Sequence, residues 1–189
     1  VVLFTRFPEP GRVKTRLIPA LGPERAAALH SRLTERALDM LRSAGLPFEL
    51  RVTGASLARF RAWLGEAVPL TDQGEGDLGA RLARAARPPP AILVGADIPD
   101  LAPFHLHAAA AALRSHPAVI GPATDGGYYL LGLCEPTAFL FDAMPWGTDA
   151  VFAITTRRLA RHGITPALLE PLSDLDRPED LARWPDLGA

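Results

Sequence analysis

Apolar residues run through this chain in two alternating rhythms. Short unbroken runs of branched and aromatic side chains read as buried strands. Longer stretches, with an apolar residue every three or four positions, read as helices packed on one side. "VVLFT" at the start is of the first kind, closed by the turn-forming "PEPG". Pro23–Ala44 is of the second kind. Ala26, Leu29, Leu33, Ala37, Met40 and Leu41 form one stripe, with Arg32, Glu35, Arg36, Asp39 and Arg42 on the other side, and Gly45 supplies a stop. The same reading gives strands at "FELRVTG", "AVPLT" and "AILVG". It gives helices over residues 55–64 and in "GDLGARLARAA", where Asp77 is placed to cap. Further on come an Ala-rich helix over 101–114 with Asp100 as its cap, strands "AVIGPA" and "YYLLGL", and a Thr-capped helix over 148–162. A strand "ITPALLE" and a short helix "RPEDLARW" end the series.

Strands alternate with helices almost throughout, which predicts a layered α/β fold with a mostly parallel sheet and helices on both faces. "GPATDGGYYLLGL" breaks the alternation, since two strands joined only by a turn predict some antiparallel pairing. Tyr128 and Tyr129 are adjacent and so divide between the two faces. No repeat or linker interrupts the pattern, and one domain is expected over 1–189.

Composition narrows the chemistry. A net charge of -1 gives no bulk attraction to nucleic acid or anionic membrane. No apolar run approaches the roughly 20 residues needed to cross a bilayer, and no secretory leader is visible. Cys134 is the single cysteine, which rules out an internal disulfide and suits a reducing compartment. A cytoplasmic protein without membrane insertion is the expectation. Lys14 is the only lysine among 20 basic residues.

Lys14 lies in "RFPEPGRVKTRL", a strand-to-helix corner that also carries Arg6, Gly11, Arg12 and Arg16. Backbone N–H groups at such a corner, with the helix dipole, favour an anion. A P-loop is excluded, because Val13 and Pro8 stand where it requires glycine. Asp97 follows directly on "AILVG", where ligands bind beyond the carboxyl ends of strands. Asp174 and Asp176, two apart, share a face if that segment is extended, although Asp176 with Glu179 also fits a capping box. If they converge with Asp97, these carboxylates offer hard oxygen ligands for Mg²⁺ or Mn²⁺. In "ATDGGYY", Gly126 and Gly127 allow close backbone approach to a ligand and Asp125 can accept from a substrate hydroxyl. The five histidines have no zinc spacing, and Cys134 lies in an apolar strand as a core residue.

"FPEPGRVKTRL", "QGEGDLGARL", "GADIPDL", "GPATDGGYYLLGL", "PWGTDAVF" and "DLDRPEDL" follow one another in an order that resembles the nucleotide-diphospho-sugar transferase (GT-A) superfamily. Within it the chain is similar to a family of small bacterial proteins often called glycosyltransferases. It also resembles the 2-phospholactate guanylyltransferases. The resemblance implies a three-layer GT-A-like (Rossmann-like) fold and a Mg²⁺- or Mn²⁺-dependent transferase. That enzyme would use a nucleotide or nucleotide-sugar and a small-molecule acceptor. The implied reaction is glycosyl transfer from a nucleotide-sugar, with nucleotidyl transfer from an NTP to a phosphorylated acceptor as the alternative and a non-catalytic nucleotide-binding module as a third. It implies Asp97, Asp174 and Asp176 at the metal, and Arg6, Gly11, Lys14 and Arg16 at the phosphates. Gln73 and Gly79 would lie near base and ribose, and Asp125, Gly126, Gly127 and Trp146 near the acceptor. The chain departs from the superfamily in lacking its Gly-rich signature and a full Asp-x-Asp, since the second acid of "DIPD" is three residues on.

Overall fold

The computed structural model describes residues 1–188, so the final residue of the expected 1–189 domain lies outside the described residues. Seven strands form one sheet: β1 (Val2–Arg6), β2 (Glu49–Thr53), β3 (Leu70–Asp72), β4 (Ala91–Gly95), β5 (Ala118–Pro122), β6 (Tyr128–Leu133) and β7 (Ala167–Leu168). The helices are α1 (Ile18–Leu21), α2 (Pro23–Ala44), α3 (Leu57–Leu64), α4 (Leu78–Ala85), α5 (Pro103–Ala112), α6 (Val151–Arg161) and α7 (Pro185–Gly188). The strand order is β3-β2-β1-β4-β6-β5-β7. β6 pairs antiparallel with both β4 and β5, while every other pairing is parallel, so β6 is the one reversed strand. The mixed α/β sheet expected from the pattern is therefore present, and the antiparallel element is the one that "TDGG" introduces.

Alternation along the strands separates two cores. Leu3, Leu50, Val52, Ile92 and Val94 point to the face covered by α2, α3 and α5. Val2, Leu93, Ile120, Leu131 and Leu133 point to the face covered by α4 and α6. Tyr129 packs in the first core and Tyr128 against the second, as adjacent strand residues must. α2 buries the stripe its spacing defines and ends at Gly45, whose left-handed φ of 65° lets its N–H close on the Arg42 carbonyl. α4 is capped by Asp77, which accepts the Ala80 N–H at 2.8 Å.

Several boundaries differ from those the pattern predicts. α5 starts at Pro103, and the His105 ring turns back so that Nδ1 accepts the Ala102 N–H at 3.0 Å, while Asp100 instead accepts from Trp184 Nε1 at 3.0 Å. α6 starts at Val151 without a side-chain cap, because the Thr148 hydroxyl donates to the Pro145 carbonyl. The last strand is only two residues, and "RPEDLARW" is a 3-10 turn over Pro178–Arg183. Cys134 sits one residue past β6, half-buried, and its thiol donates to the Leu113 carbonyl at 3.1 Å.

Candidate active site

β1 delivers the chain to Arg6 at the carboxyl end of the sheet. The loop that follows turns at Gly11, with φ 79°, and reaches Lys14 in the left-handed region at φ 48°. A non-glycine residue held there costs on the order of 1–3 kcal/mol. The conformation goes with a side chain that runs inward and is only 2% exposed. Its Nζ donates to the Leu175 carbonyl at 2.5 Å and lies 2.8 Å from Asp97 Oδ1 and 3.8 Å from Asp176 Oδ1. A compact ammonium with three donors suits oxygens arriving from three directions better than a planar guanidinium would.

Asp97 has two oxygens in different surroundings. Oδ1 is shut away from solvent beside Lys14, in a contact that is charge attraction rather than a well-directed hydrogen bond. The side chain as a whole is 45% exposed, so its exposure lies outside Oδ1. Burial pushes the carboxyl up, but the Lys14 ammonium and His30 outweigh it and hold Asp97 well below the usual carboxylate range. His30 comes from α2. Its Nε2 is 2.9 Å from the Arg6 carbonyl, which can only accept, so Nε2 carries a proton; Nδ1 is 3.8 Å from Asp97 Oδ1. Beneath it the Thr5 and Thr34 hydroxyls pair at 2.9 Å. His30 escaped the sequence reading. Its four-residue spacing to Thr34, two polar groups on an otherwise apolar stripe, was the available signal.

The acidic side is tied to this corner through backbone. Leu175 N–H donates to the Asp97 carbonyl at 2.9 Å while its own carbonyl accepts from Lys14. Ser173 and Leu175 point inward, so Asp174 and Asp176 fall on the outer face. The cap of the following turn is Asp180, which accepts the N–H groups of Asp176 and Arg177, rather than the box expected of Asp176 and Glu179. That leaves the Asp176 carboxylate to pair with Arg16 at 2.6 Å. Asp174 is pushed up to about 6 by burial first, then by Asp125, with smaller repulsion from Asp176 and Asp180. Asp125 caps its own turn, accepting the Gly127 N–H at 2.8 Å. Gly126 packs so closely on the loop before α6 that a Cβ would stand 2.2 Å from the Asp149 carbonyl oxygen.

Two hollows open here. One, of about 430 Å³, is lined by six acids (Asp125, Asp149, Asp174, Asp176, Glu179, Asp180) with Arg16 and Arg177. The other, of about 240 Å³, is apolar and shares Asp125, Gly147 and Thr148 with it. The structure thus brings together Lys14, Arg16, Asp97, Asp174, Asp176 and Asp125. It places Gln73 differently: the amide is buried and donates to the Thr5 and Arg51 carbonyls, joining β1 to β2. Gly79 is a packing contact, since a Cβ there would be 2.4 Å from the Phe141 carbonyl oxygen. The Arg6 side chain lies over Gly54, and Arg12 is exposed and pairs with Glu9. Among the described residues, no three His, Cys, Asp or Glu side chains form a metal-holding set by themselves. None of the described helices is long and apolar enough to cross a membrane.

A parallel sheet with one reversed strand, helices on both faces and charged loops at the strands' carboxyl ends defines a nucleotide-diphospho-sugar transferase-like fold. The chain belongs to the family DUF2064, described as an uncharacterized protein conserved in bacteria, whose model matches residues 36–148. It is similar to the crystal structure of a candidate nucleotide-diphospho-sugar transferase from Desulfovibrio desulfuricans G20. The two share 29% identity with a TM-score of 0.90, over 98% of this chain and 86% of that one. CMP:2-keto-3-deoxy-manno-octonic acid synthetase complexed with CTP shares the fold at 14% identity and a TM-score of 0.57, over 98% and 96% of the two chains. So does Rv0371c of Mycobacterium tuberculosis H37Rv, solved with manganese, at 17% identity and a TM-score of 0.51, over 96% and 95%. No curated protein matches the sequence.

Proposed function

We propose that this protein is a transferase that takes a glycosyl group from a nucleotide-sugar to a small acceptor, at the corner where Lys14 and Asp97 meet. The observation that carries the reading is that meeting. A cationic strand-to-helix loop and an acidic rim, with Lys14 and Asp97 83 positions apart along the chain, close on each other at 2.8 Å. The manganese bound to Rv0371c and the transferase likeness of the Desulfovibrio protein support the same direction.

Arg16 and the N–H groups of the turn at Gly11 would receive the diphosphate, with Lys14 behind them as fixed positive charge. Among the described residues the carboxylates do not form a complete set by themselves, but with diphosphate oxygens added they suit a hard divalent cation. Asp97 is kept ionised with exposure beyond its buried oxygen, and Asp174 stands among carboxylates whose mutual repulsion a cation relieves. Asp97, Asp174 and Asp176 would hold Mg²⁺ or Mn²⁺ together with diphosphate oxygens, and the chemistry supplied there would be neutralisation of charge on the diphosphate. In the transfer, an acceptor oxygen bonds to the anomeric carbon and that carbon's bond to the diphosphate oxygen breaks. The nucleoside diphosphate leaves with the electron pair, and the acceptor's proton passes to a carboxylate, a role this reading gives to Asp125. His30 would act through Asp97, as a positioning residue.

A thermal-shift panel of nucleotide-sugars and NTPs, with and without Mn²⁺, identifies the donor, because a ligand stabilises in proportion to the logarithm of its excess over Kd. With that donor, nucleoside diphosphate release should fall at least about 100-fold in Asp97→Asn. Full turnover in both Asp97→Asn and Lys14→Ala would overturn the reading. Pyrophosphate released from an NTP would mark nucleotidyl transfer instead, and binding without turnover a non-catalytic module.

A further inference from the structure

The apolar hollow has a floor of sheet and walls of helix and loop. Phe4 of β1 and Leu93 of β4 form its base, Leu82 of α4 one side, and Trp146 and Val151 the other. Gly95 lies two residues beyond Leu93, hence on the same face, and a Cβ built there meets nothing within 4 Å. β4 therefore ends on this face without a side chain, and the missing side chain is part of what keeps the hollow open. The hollow reaches the charged cleft through Asp125, Gly147 and Thr148, which line both. A ligand crossing that shared wall has its body against hydrocarbon and its polar end against carboxylates. Arg16, the cation on the acidic side nearest the lysine corner, is held by Asp176 at 2.6 Å.

Resting on the transferase reading above, we propose that this hollow receives the second substrate, and that this substrate is an apolar alcohol or amine rather than a phosphorylated or carboxylated acceptor. About 240 Å³ holds a body of one or two rings. Burying such a body is favourable by roughly 25 cal/mol for each Å² removed from water. A hydroxyl or ammonium at the shared wall finds Asp125 already oriented, since its Oδ1 accepts the Gly127 N–H at 2.8 Å. A phosphate or carboxylate placed there faces Asp125 in a cleft whose six acids outnumber its two cations, Arg16 and Arg177, and like charges in a partly dehydrated cleft repel.

Tryptamine, tryptophol and indole-3-acetate carry one ring system with a cationic, neutral and anionic end. Calorimetric titration in Mg²⁺-containing buffer should give tryptamine and tryptophol at least about tenfold tighter than indole-3-acetate. Asp125→Asn should reduce the tryptamine-to-indole-3-acetate ratio at least about threefold. Gly95→Leu, which fills the hollow, should abolish binding of all three while nucleotide and Mn²⁺ still raise Tm. Equal binding of the three probes, or an unchanged ratio in Asp125→Asn, overturns the proposal, and the ratio reports even if Gly95→Leu does not fold. Loss of nucleotide stabilisation with probe selectivity intact overturns the donor-site reading and leaves the hollow's selectivity standing. Nucleotide stabilisation without probe selectivity does the reverse.

Discussion

The two faces of the sheet are built from the same kinds of strand residue and end differently. On one, the 22-residue α2 lies beside α5, and Leu3, Leu50, Val52, Phe60 and Leu106 are fully buried. On the other, α4 has 8 residues and α6 has 11, and near the carboxyl ends of the strands they leave the apolar hollow. The length of α2 makes the difference, since α3 on its face is as short as α4 on the other. A helix of 22 residues spans about 33 Å, as long as the strands and their loops, whereas one of 8 spans about 12 Å. The long helix closes its face near the carboxyl ends of the strands, where it sends His30 and Thr34 up under Asp97; the hollow this face keeps, of about 460 Å³ beside Ile92, Ala110 and Leu113, lies at the opposite end. The short one leaves room that a ligand can take. Near the site, one face is therefore closed and the other open.

That contrast can be broken by experiment. Leu41→Ala, on the sealed face at 1% exposure, should cost about 3–4 kcal/mol in urea unfolding, since the cavity it leaves cannot fill. Lys14→Met should cost about 2–3 kcal/mol, because the Leu175 carbonyl loses its donor and Asp97 Oδ1 its counter-charge; the partly exposed Asp97 keeps the value below that of a fully buried pair. Leu82→Ala, the same truncation as Leu41→Ala but beside the hollow, should cost about 2 kcal/mol, as solvent can enter the space. Equal losses at Leu41 and Leu82 would refute the division between sealed and open faces. Smallest is Asp77→Ala, which removes the cap of α4 for about 1 kcal/mol and tests whether the short cover depends on its terminus.

Much of this was readable along the chain, and what was missed has definite causes. The stripe of α2 and its glycine stop follow from local periodicity, which no distant contact needs to supply. The outward placement of Asp174 and Asp176 was likewise legible, because residues two apart in an extended segment share a face. The resemblance put Gln73 near base and ribose, yet two backbone carbonyls brought together by strand pairing take its amide. Asp100 and Thr148 have the chemistry of caps, but Trp184 and Pro145 present better-placed partners.

Local sequence specifies most of the elements, the antiparallel turn at "TDGG" and the identity of the charged groups, since each of these depends on neighbours within a few residues. Packing alone settles that Leu175 bridges Asp97 to Lys14, that Asp180 rather than Glu179 caps its turn, that β6 is the strand that reverses, and that Gly95 opens a hollow. Those outcomes depend on which hydrogen-bonding groups and which empty volume meet when distant segments pack, and that is a property of the folded arrangement rather than of any local stretch.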